Sequence, residues 1–384
     1  NTNAMNKKAT ELLKQYGFKR IKAADMIDSY NFEDRKLVEI VKATYFNPKI
    51  VVIDETTTAL SQEGREELYK HMERIRKSGN TVIFISHDLP EIIEKSDTIT
   101  ILRDGVYIDT VKSKDVNEND LKKLMVGREV TGDYYRSDYG EKVSDEVVLS
   151  VKNVTVPGLI ENVSFDLHKG EILGFGGLSE SGMHEIGKAI FGASYDREGT
   201  VELADGTQIN DIPTAIKHSI AYTSKDRDNE SVVLNQSIGD NICLPSLDEL
   251  SGPAHLISDK KKKDFANKFA KQMSVKMVDV NQFVSNLSGG NKQKVVLARW
   301  IGKDSDIVVL DSPTRGIDIK VKQDIYQLMN QMRKNGKSII MISEELMELI
   351  GMCDRIMIMK DGKISGELER DQNLDENGLI TMMV

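Results

Sequence analysis

The sequence predicts an α/β protein made of two copies of one parallel-sheet domain, the first of them incomplete, and three observations carry that prediction. Motifs recur at a fixed spacing: Ile50-Val51-Val52-Ile53-Asp54-Glu55 matches Ile307-Val308-Val309-Leu310-Asp311-Ser312. Ile85-Ser86-His87 likewise matches Ile342-Ser343-Glu344, and Arg103-Asp104-Gly105 matches Lys360-Asp361-Gly362. Each pair is 257 positions apart (311 less 54, 344 less 87, 361 less 104), and one offset across three motifs marks a duplicated domain. Short apolar runs rich in β-branched residues also alternate with amphipathic segments of helical period. Several of those runs are apolar throughout, as strands of a parallel sheet covered on both faces are.

In chain order, the runs at 49–53, 81–85, 98–102, 172–175, 220–223, 306–310, 338–342 and 355–359 read as strands. Segments 63–77, 260–273, 291–300 and 321–335 read as helices. Phe18, Met26, Trp300, Met341 and Met359 are expected in the core, and Leu287 beneath the helix that follows it. Residues 127–146 are polar, charged and aperiodic, which places a linker between a first domain at 5–126 and a second at 147–384. Tyr134, Tyr135 and Tyr139 in that stretch are expected to pack against a domain rather than to stack on nucleic acid.

The offset also exposes a gap. The first copy enters at the equivalent of Lys262, so the roughly 115 residues from 147 to 261 have no earlier counterpart. The expectation is that the front of the first domain is missing from this chain, by design or through a split gene. Asn1-Thr2-Asn3-Ala4 before Met5 reads as an expression scar.

Composition narrows the function. A net charge of −9 over 384 residues argues against a protein that coats nucleic acid. The run Lys260-Lys261-Lys262-Lys263 reads as a solvated helix face. Cys243 and Cys353 are the only cysteines and lack any metal-type spacing, which fits a reducing compartment. No apolar run approaches the ~18 residues needed to cross a bilayer, so a membrane role is expected only through a partner.

The chemistry concentrates in a few motifs. Leu287-Ser288-Gly289-Gly290-Asn291-Lys292-Gln293 opens a helix. Its glycines let backbone N–H groups approach a ligand, Ser288 adds a hydroxyl, and the helix end favours an anion such as a terminal phosphate. An apolar strand ending in Asp311 follows, then Pro313-Thr314-Arg315-Gly316-Ile317-Asp318.

These residues resemble the nucleotide-binding subunits of ABC transporters. More narrowly, they resemble the double-domain ATP-binding proteins of bacterial ribose-, galactose- and xylose-type importers, over essentially all of 5–384. The resemblance implies tandem P-loop domains, each a parallel-sheet core with a helical and an antiparallel β subdomain, the first incomplete. In such proteins two domains face each other, and each ATP site joins the Walker motifs of one to the signature motif of the other.

On that reading the two copies are damaged in complementary ways. The second keeps the signature, but its phosphate loop, G-x-x-x-x-G-K-[ST] in the family, holds Gly177 and Gly182 and then Met183 and His184 in place of the lysine and the hydroxyl residue. A dinucleotide fingerprint at Gly174-Phe175-Gly176 fails, because Ser179 stands at the third glycine. Ser312 replaces the acid after Asp311, Glu344 replaces the switch histidine, and Tyr222-Thr223-Ser224-Lys225 lacks the usual glutamine. The first copy keeps Asp54 to orient Mg²⁺, Glu55 as general base or water-positioning group, and His87 at the switch position. Its own signature position, Tyr30-Asn31-Phe32-Glu33-Asp34, has lost both glycines and gained two carboxylates.

The implied working site joins Asp54, Glu55 and His87 to Ser288, Gly289, Gly290 and Gln293, with ATP and Mg²⁺ as cofactors. The implied inert site holds Gly177, Gly182, Met183, His184, Asp311, Ser312 and Glu344. Asp318 matches the family's inter-domain acid and Ser61 replaces it in the first copy. The expected function is the ATP-hydrolysing subunit energising import of a monosaccharide, peripheral on the cytoplasmic face of the membrane. It would bind integral permease subunits, work indirectly with a periplasmic or lipid-anchored sugar-binding protein, and bind no nucleic acid. Without the first phosphate loop, this chain is expected to be inactive alone. Two alternatives stay open: a soluble twin-ABC protein of translation or repair, and a non-catalytic split-gene module that pairs with a separate phosphate-loop piece.

Overall fold

The computed structural model describes the chain except residues 19, 31, 55, 58, 59, 61, 87, 104, 105, 119, 122, 123, 125–133, 139–142, 179, 253, 254, 318, 372, 373 and 384, and except the side chains of 32, 33, 62, 63, 103 and 377. Glu55, His87, Asn31, Ser61, Tyr139, Ser179 and Asp318 thus lie outside the described residues. The chain forms two compact units, 1–131 and 132–384.

The first unit runs α1 (Thr2–Gln15), α2 (Phe32–Thr44), β1 (Ile50–Asp54), α3 (Gln62–Lys77), β2 (Thr81–Ile85), α4 (Leu89–Lys95), β3 (Thr98–Arg103) and β4 (Val106–Lys112). β1 and β2 pair in parallel, Ile50 opposite Thr81 through Asp54 opposite Ile85, while β3 and β4 form an antiparallel hairpin. Strand side chains alternate between faces, and in β1 only one face is covered. Val51 and Ile53 join Leu13, Phe18, Leu37 and Leu68 in the core. Ile50 (58% exposed), Val52 (57%), Ile83 (47%) and Ile85 (45%) face outward. Met26 departs from its expected place in the core. It is 74% exposed, on irregular chain leading into a 3₁₀ turn (Ile27–Ser29) rather than on an element with a buried stripe.

The second unit carries two sheets. β5 (Val147–Val156), β6 (Ile160–His168) and β8 (Glu198–Leu203) form an antiparallel sheet ordered β6-β5-β8. β7 (Ile172–Gly177), β9 (Ile220–Thr223), β10 (Ile307–Asp311), β11 (Ser338–Ile342), β12 (Arg355–Lys360) and β13 (Lys363–Glu369) form the main sheet, ordered β13-β12-β7-β11-β10-β9. Only its edge strand β13 runs antiparallel to its neighbour. β10 and β11 are buried along their whole length. β9 and β7 flank them, and α5 (Met183–Ile190) packs over them, with Gly187 so close that a Cβ would come within 3.0 Å of Ile342 and 3.4 Å of Val309. The counterparts of the exposed Ile50, Val52, Ile83 and Ile85 are therefore all internal here.

The predicted strands and helices appear with ends shifted by a few residues, helix 291–300 extending to Gly289–Lys303 (α6) and helix 321–335 to Ile319–Lys334 (α7). Strands β5, β6 and β8 carry bulges and polar residues that interrupt their alternation, which hides them from a periodicity reading. Trp300, Met341, Met359 and Leu287 are buried, as is Phe18.

Residues 134–138 are strapped onto the second unit. The Tyr134 and Tyr135 rings lie 5.4 and 5.3 Å from that of Tyr326, and a Cβ at Gly351 would fall 2.3 Å from Tyr135. The Arg136 guanidinium, 1% exposed, pairs with Asp138 at 3.0 Å and Asp354 at 2.7 Å and donates to the Met352 carbonyl.

Candidate nucleotide site

In both units the strand that ends in aspartate stops beside the strand that leads to the switch position. Asp54 is opposite Ile85 and Asp311 opposite Ile342, so each carboxylate stands at the carboxyl end of a parallel sheet, where such folds bind ligands. Asp54 is exposed there, and Thr56 Oγ1 donates to its carbonyl at 3.3 Å. Glu55, which follows it in the chain, and His87 are outside the described residues.

The second unit's phosphate loop leaves β7 at Gly177 and enters α5 at Gly182. Gly182 has φ +89°, and a Cβ there would meet the Leu159 carbonyl at 2.6 Å, so only glycine fits the turn. The backbone of a phosphate loop is thus present, but its side chains point to other chemistry. Met183 is fully buried in the core and places no ammonium in the loop. His184 Nδ1 is 2.7 Å from Asp311 Oδ1, and its Nε2 lies 3.5 Å from Glu344 Oε1. Lys225 Nζ is 2.7 Å from the same Glu344 oxygen and 3.0 Å from His184 Nε2. Burial disfavours charge on His184, yet its hydrogen bonds to Asp311 and Glu344 outweigh that and hold its pKa above the ordinary imidazole value. Ser312 adopts φ +50°, and its hydroxyl lies 3.3 Å from Asp311 Oδ1.

Magnesium-nucleotide does not fit this set. The aspartate that would face a metal shell is already held by an imidazole, no hydroxyl follows Gly182 directly, and Glu344 would repel a terminal phosphate. The His184 imidazole, the Lys225 ammonium and the carboxylates of Asp311 and Glu344 close the space on themselves. The sequence reading named Lys225 only as part of a loop without glutamine and missed its pairing with Glu344 and His184.

The signature segment is differently disposed. Ser288 caps α6, is exposed, and accepts from Asn291 Nδ2 at 2.9 Å. Gly289 and Gly290 begin the helix, and a Cβ on Gly289 would come within 3.2 Å of the Arg227 guanidinium. Gln293 is buried one turn on. Free N–H groups, a hydroxyl and a nearby guanidinium make this helix end suited to an anion. At the equivalent place in the first unit, Asp34 is buried and taken by Arg20 at 2.5 Å, while Tyr30 donates to Asp25 at 2.7 Å. That surface is occupied by its own ion pair.

Comparisons with known proteins show the family of the chain. The ABC transporter family matches residues 160–315. The ribose import ATP-binding protein RbsA of Lactococcus lactis subsp. cremoris is 40% identical over 377 residues, 98% of this chain and 75% of that protein. This chain belongs to the sugar-import ATP-binding proteins of ABC transporters. Another member, the xylose import ATP-binding protein XylG of Thermoanaerobacter pseudethanolicus, is 43% identical over 350 residues, 88% of this chain and 68% of that protein. The solved structure of a nucleotide-free ATP-binding cassette from an ABC transporter superposes with a TM-score of 0.52 at 17% identity, covering 62% of this chain and 99% of the cassette. A dimeric cassette in a post-hydrolysis state with ADP and phosphate gives 0.51 at 22% identity, covering 58% and 99%. The fold is that of an ABC cassette, an α/β parallel-sheet core with an antiparallel sheet beside it. Among the described residues no helix is long and apolar enough to cross a membrane, and no group of three or more His, Cys, Asp or Glu side chains could hold a metal ion.

Proposed function

We propose that the chain is part of the ATP-hydrolysing subunit of a pentose importer, with one working nucleotide site and one closed one. The observation that carries this is the asymmetry of the duplicated strand ends. Asp54 is exposed beside Glu55, whereas Asp311 is locked to His184 beside Ser312. For the working site the first unit carries Asp54, Glu55 and His87, and the second carries the signature residues Ser288, Gly289, Gly290 and Gln293. The closed one is the second copy's own, at Gly177, Gly182, Met183, His184, Asp311, Ser312 and Glu344.

Asp54 would hold Mg²⁺, which when bound neutralises charge on the terminal phosphates. Glu55 would orient the attacking water and His87 would contact the γ-phosphate, while the Ser288 hydroxyl and the helix N–H groups of the signature segment would favour an anion. The names of the relatives support ribose or xylose as cargo, with membrane permease subunits as direct partners and peripheral attachment through them. The domains of this subunit would be 5–126 and 147–384 around a linker at 127–146.

The test is uptake. In cells lacking their own pentose-import ATP-binding subunit, the chain preceded by a first-copy phosphate-loop segment restores labelled pentose uptake, and Glu55→Gln lowers it by about 10²-fold. Unchanged uptake with Glu55→Gln would remove the assignment.

A further inference from the structure

One buried carboxylate in each unit ties together the two loops that border the nucleotide position, with the same three kinds of hydroxyl donor in both. In the first unit Glu91 accepts from Thr57 Oγ1 at 3.0 Å, from Ser86 Oγ at 2.8 Å and from the Tyr69 hydroxyl. In the second, Glu348 accepts from Thr314 Oγ1 at 2.5 Å, Ser343 Oγ at 2.8 Å and Tyr326 OH at 2.5 Å. The four residues of each set are pairwise identical at the same offset of 257 (348 less 91, 314 less 57, 343 less 86, 326 less 69).

Placement gives this carboxylate its meaning. Thr57 and Thr314 sit two residues beyond Glu55 and Ser312; Ser86 and Ser343 directly precede His87 and Glu344. The Ser86 hydroxyl also accepts from Asp88 N at 3.1 Å, and that of Ser343 from Glu345 N at 3.0 Å, so the serine fixes its own loop while bonding the acid. Both glutamates are buried. A buried carboxylate is tolerated only where donors satisfy it, and losing one donor leaves a costly unpaired group. Neither loop can therefore leave without uncovering the charge that the other also serves. The cations differ: Lys322 reaches Glu348 at 3.4 Å and Glu345 at 2.6 Å, whereas Arg65 donates to the Thr57 and Leu60 carbonyls at 3.1 and 3.4 Å.

We propose that Glu91 and Glu348 are positioning residues that lock the loop after the aspartate strand to the loop bearing the switch position, so that the two move as one body. This deepens the reading of Glu55 and His87 given above and rests on it for its catalytic meaning, while the lock itself stands on the geometry alone.

The test is amide hydrogen exchange on the nucleotide-free 384-residue chain. Glu348→Gln should speed exchange by about tenfold in both 312–317 and 343–346, with strands β10 and β11 unchanged. Thr314→Val, milder and confined to the first loop, should also speed exchange in the second. Glu91→Gln should do the same at 56–60 and 86–88. Acceleration limited to the mutated loop, no change in either loop, or a uniform rise through the whole unit would each overturn the lock. The uptake assay with Glu55→Gln reads the ATP-site assignment separately, so either idea can fail without the other.

Discussion

His184 is the residue that most separates the second site from a working one. Its imidazole lies between Asp311 and Glu344, with Lys225 alongside. Because its folded pKa is raised, its contribution to stability is complete below the ordinary value of about 6.5 and is lost as the pH climbs through the raised value. The second unit's unfolding midpoint should therefore fall as pH is raised above neutrality, and His184→Gln should flatten that fall in a thermal scan repeated across pH. A wild-type midpoint that rises over that range would be incompatible with a charged His184. Restoring the loop gives a second prediction. Met183→Lys with His184→Thr should create magnesium-dependent binding of a fluorescent ATP analogue at least about tenfold tighter than in the parent chain. It should do so without turnover, since Ser312 remains. No gain in binding would mean that more than these two side chains closes the site.

At the scale of elements, the glycine turn into α5 and the strap at 134–138 are the most sensitive joints. Gly182→Ala combines a left-handed backbone with a clash on Leu159 and should cost roughly 2 kcal/mol or more in urea unfolding. Arg136→Ala leaves Asp354 buried without its guanidinium and should cost about 3 kcal/mol. A loss below about 0.5 kcal/mol in either case would contradict the packing described. The main-sheet strands were legible in the sequence because parallel strands covered on both faces are continuous apolar runs, as at Ile307–Asp311 and Ser338–Ile342. Strands β5, β6 and β8 of the antiparallel sheet were not, since bulges break their alternation. Met26 misled because an apolar residue on irregular chain carries no period to show which way it faces. In the site, the loss of the phosphate-loop lysine could be read from Met183 alone. That His184 reaches Asp311 and that Glu348 gathers the Tyr326 and Thr314 hydroxyls are contacts between residues 22 to 127 positions apart, which no local pattern encodes. A comparison of the two copies column by column would still have flagged the Thr, Ser, Tyr and Glu of the lock.

At the scale of the whole chain, the duplicated domain is unequally covered. Residues that β7, β9 and α5 enclose in the second unit have exposed counterparts in the first. Burial of an isoleucine or valine side chain stabilises by about 1.5–3 kcal/mol, so the first unit should unfold at lower urea than the second, in a separate transition. Val309→Asp should abolish the later transition, whereas Val52→Asp should leave the earlier one within about 0.5 kcal/mol. One shared transition would show that the two units are not independent. The central claim, one working site and one closed site, is tested most directly by calorimetric titration of Mg-ATP into this chain, beside the same chain preceded by a first-copy phosphate-loop segment. The account predicts no tight binding by the chain alone and a single tight site in the extended form. Tight magnesium-dependent binding by the chain alone, abolished by mutating Gly182, would contradict it, because the loop closed by His184 would then be holding nucleotide.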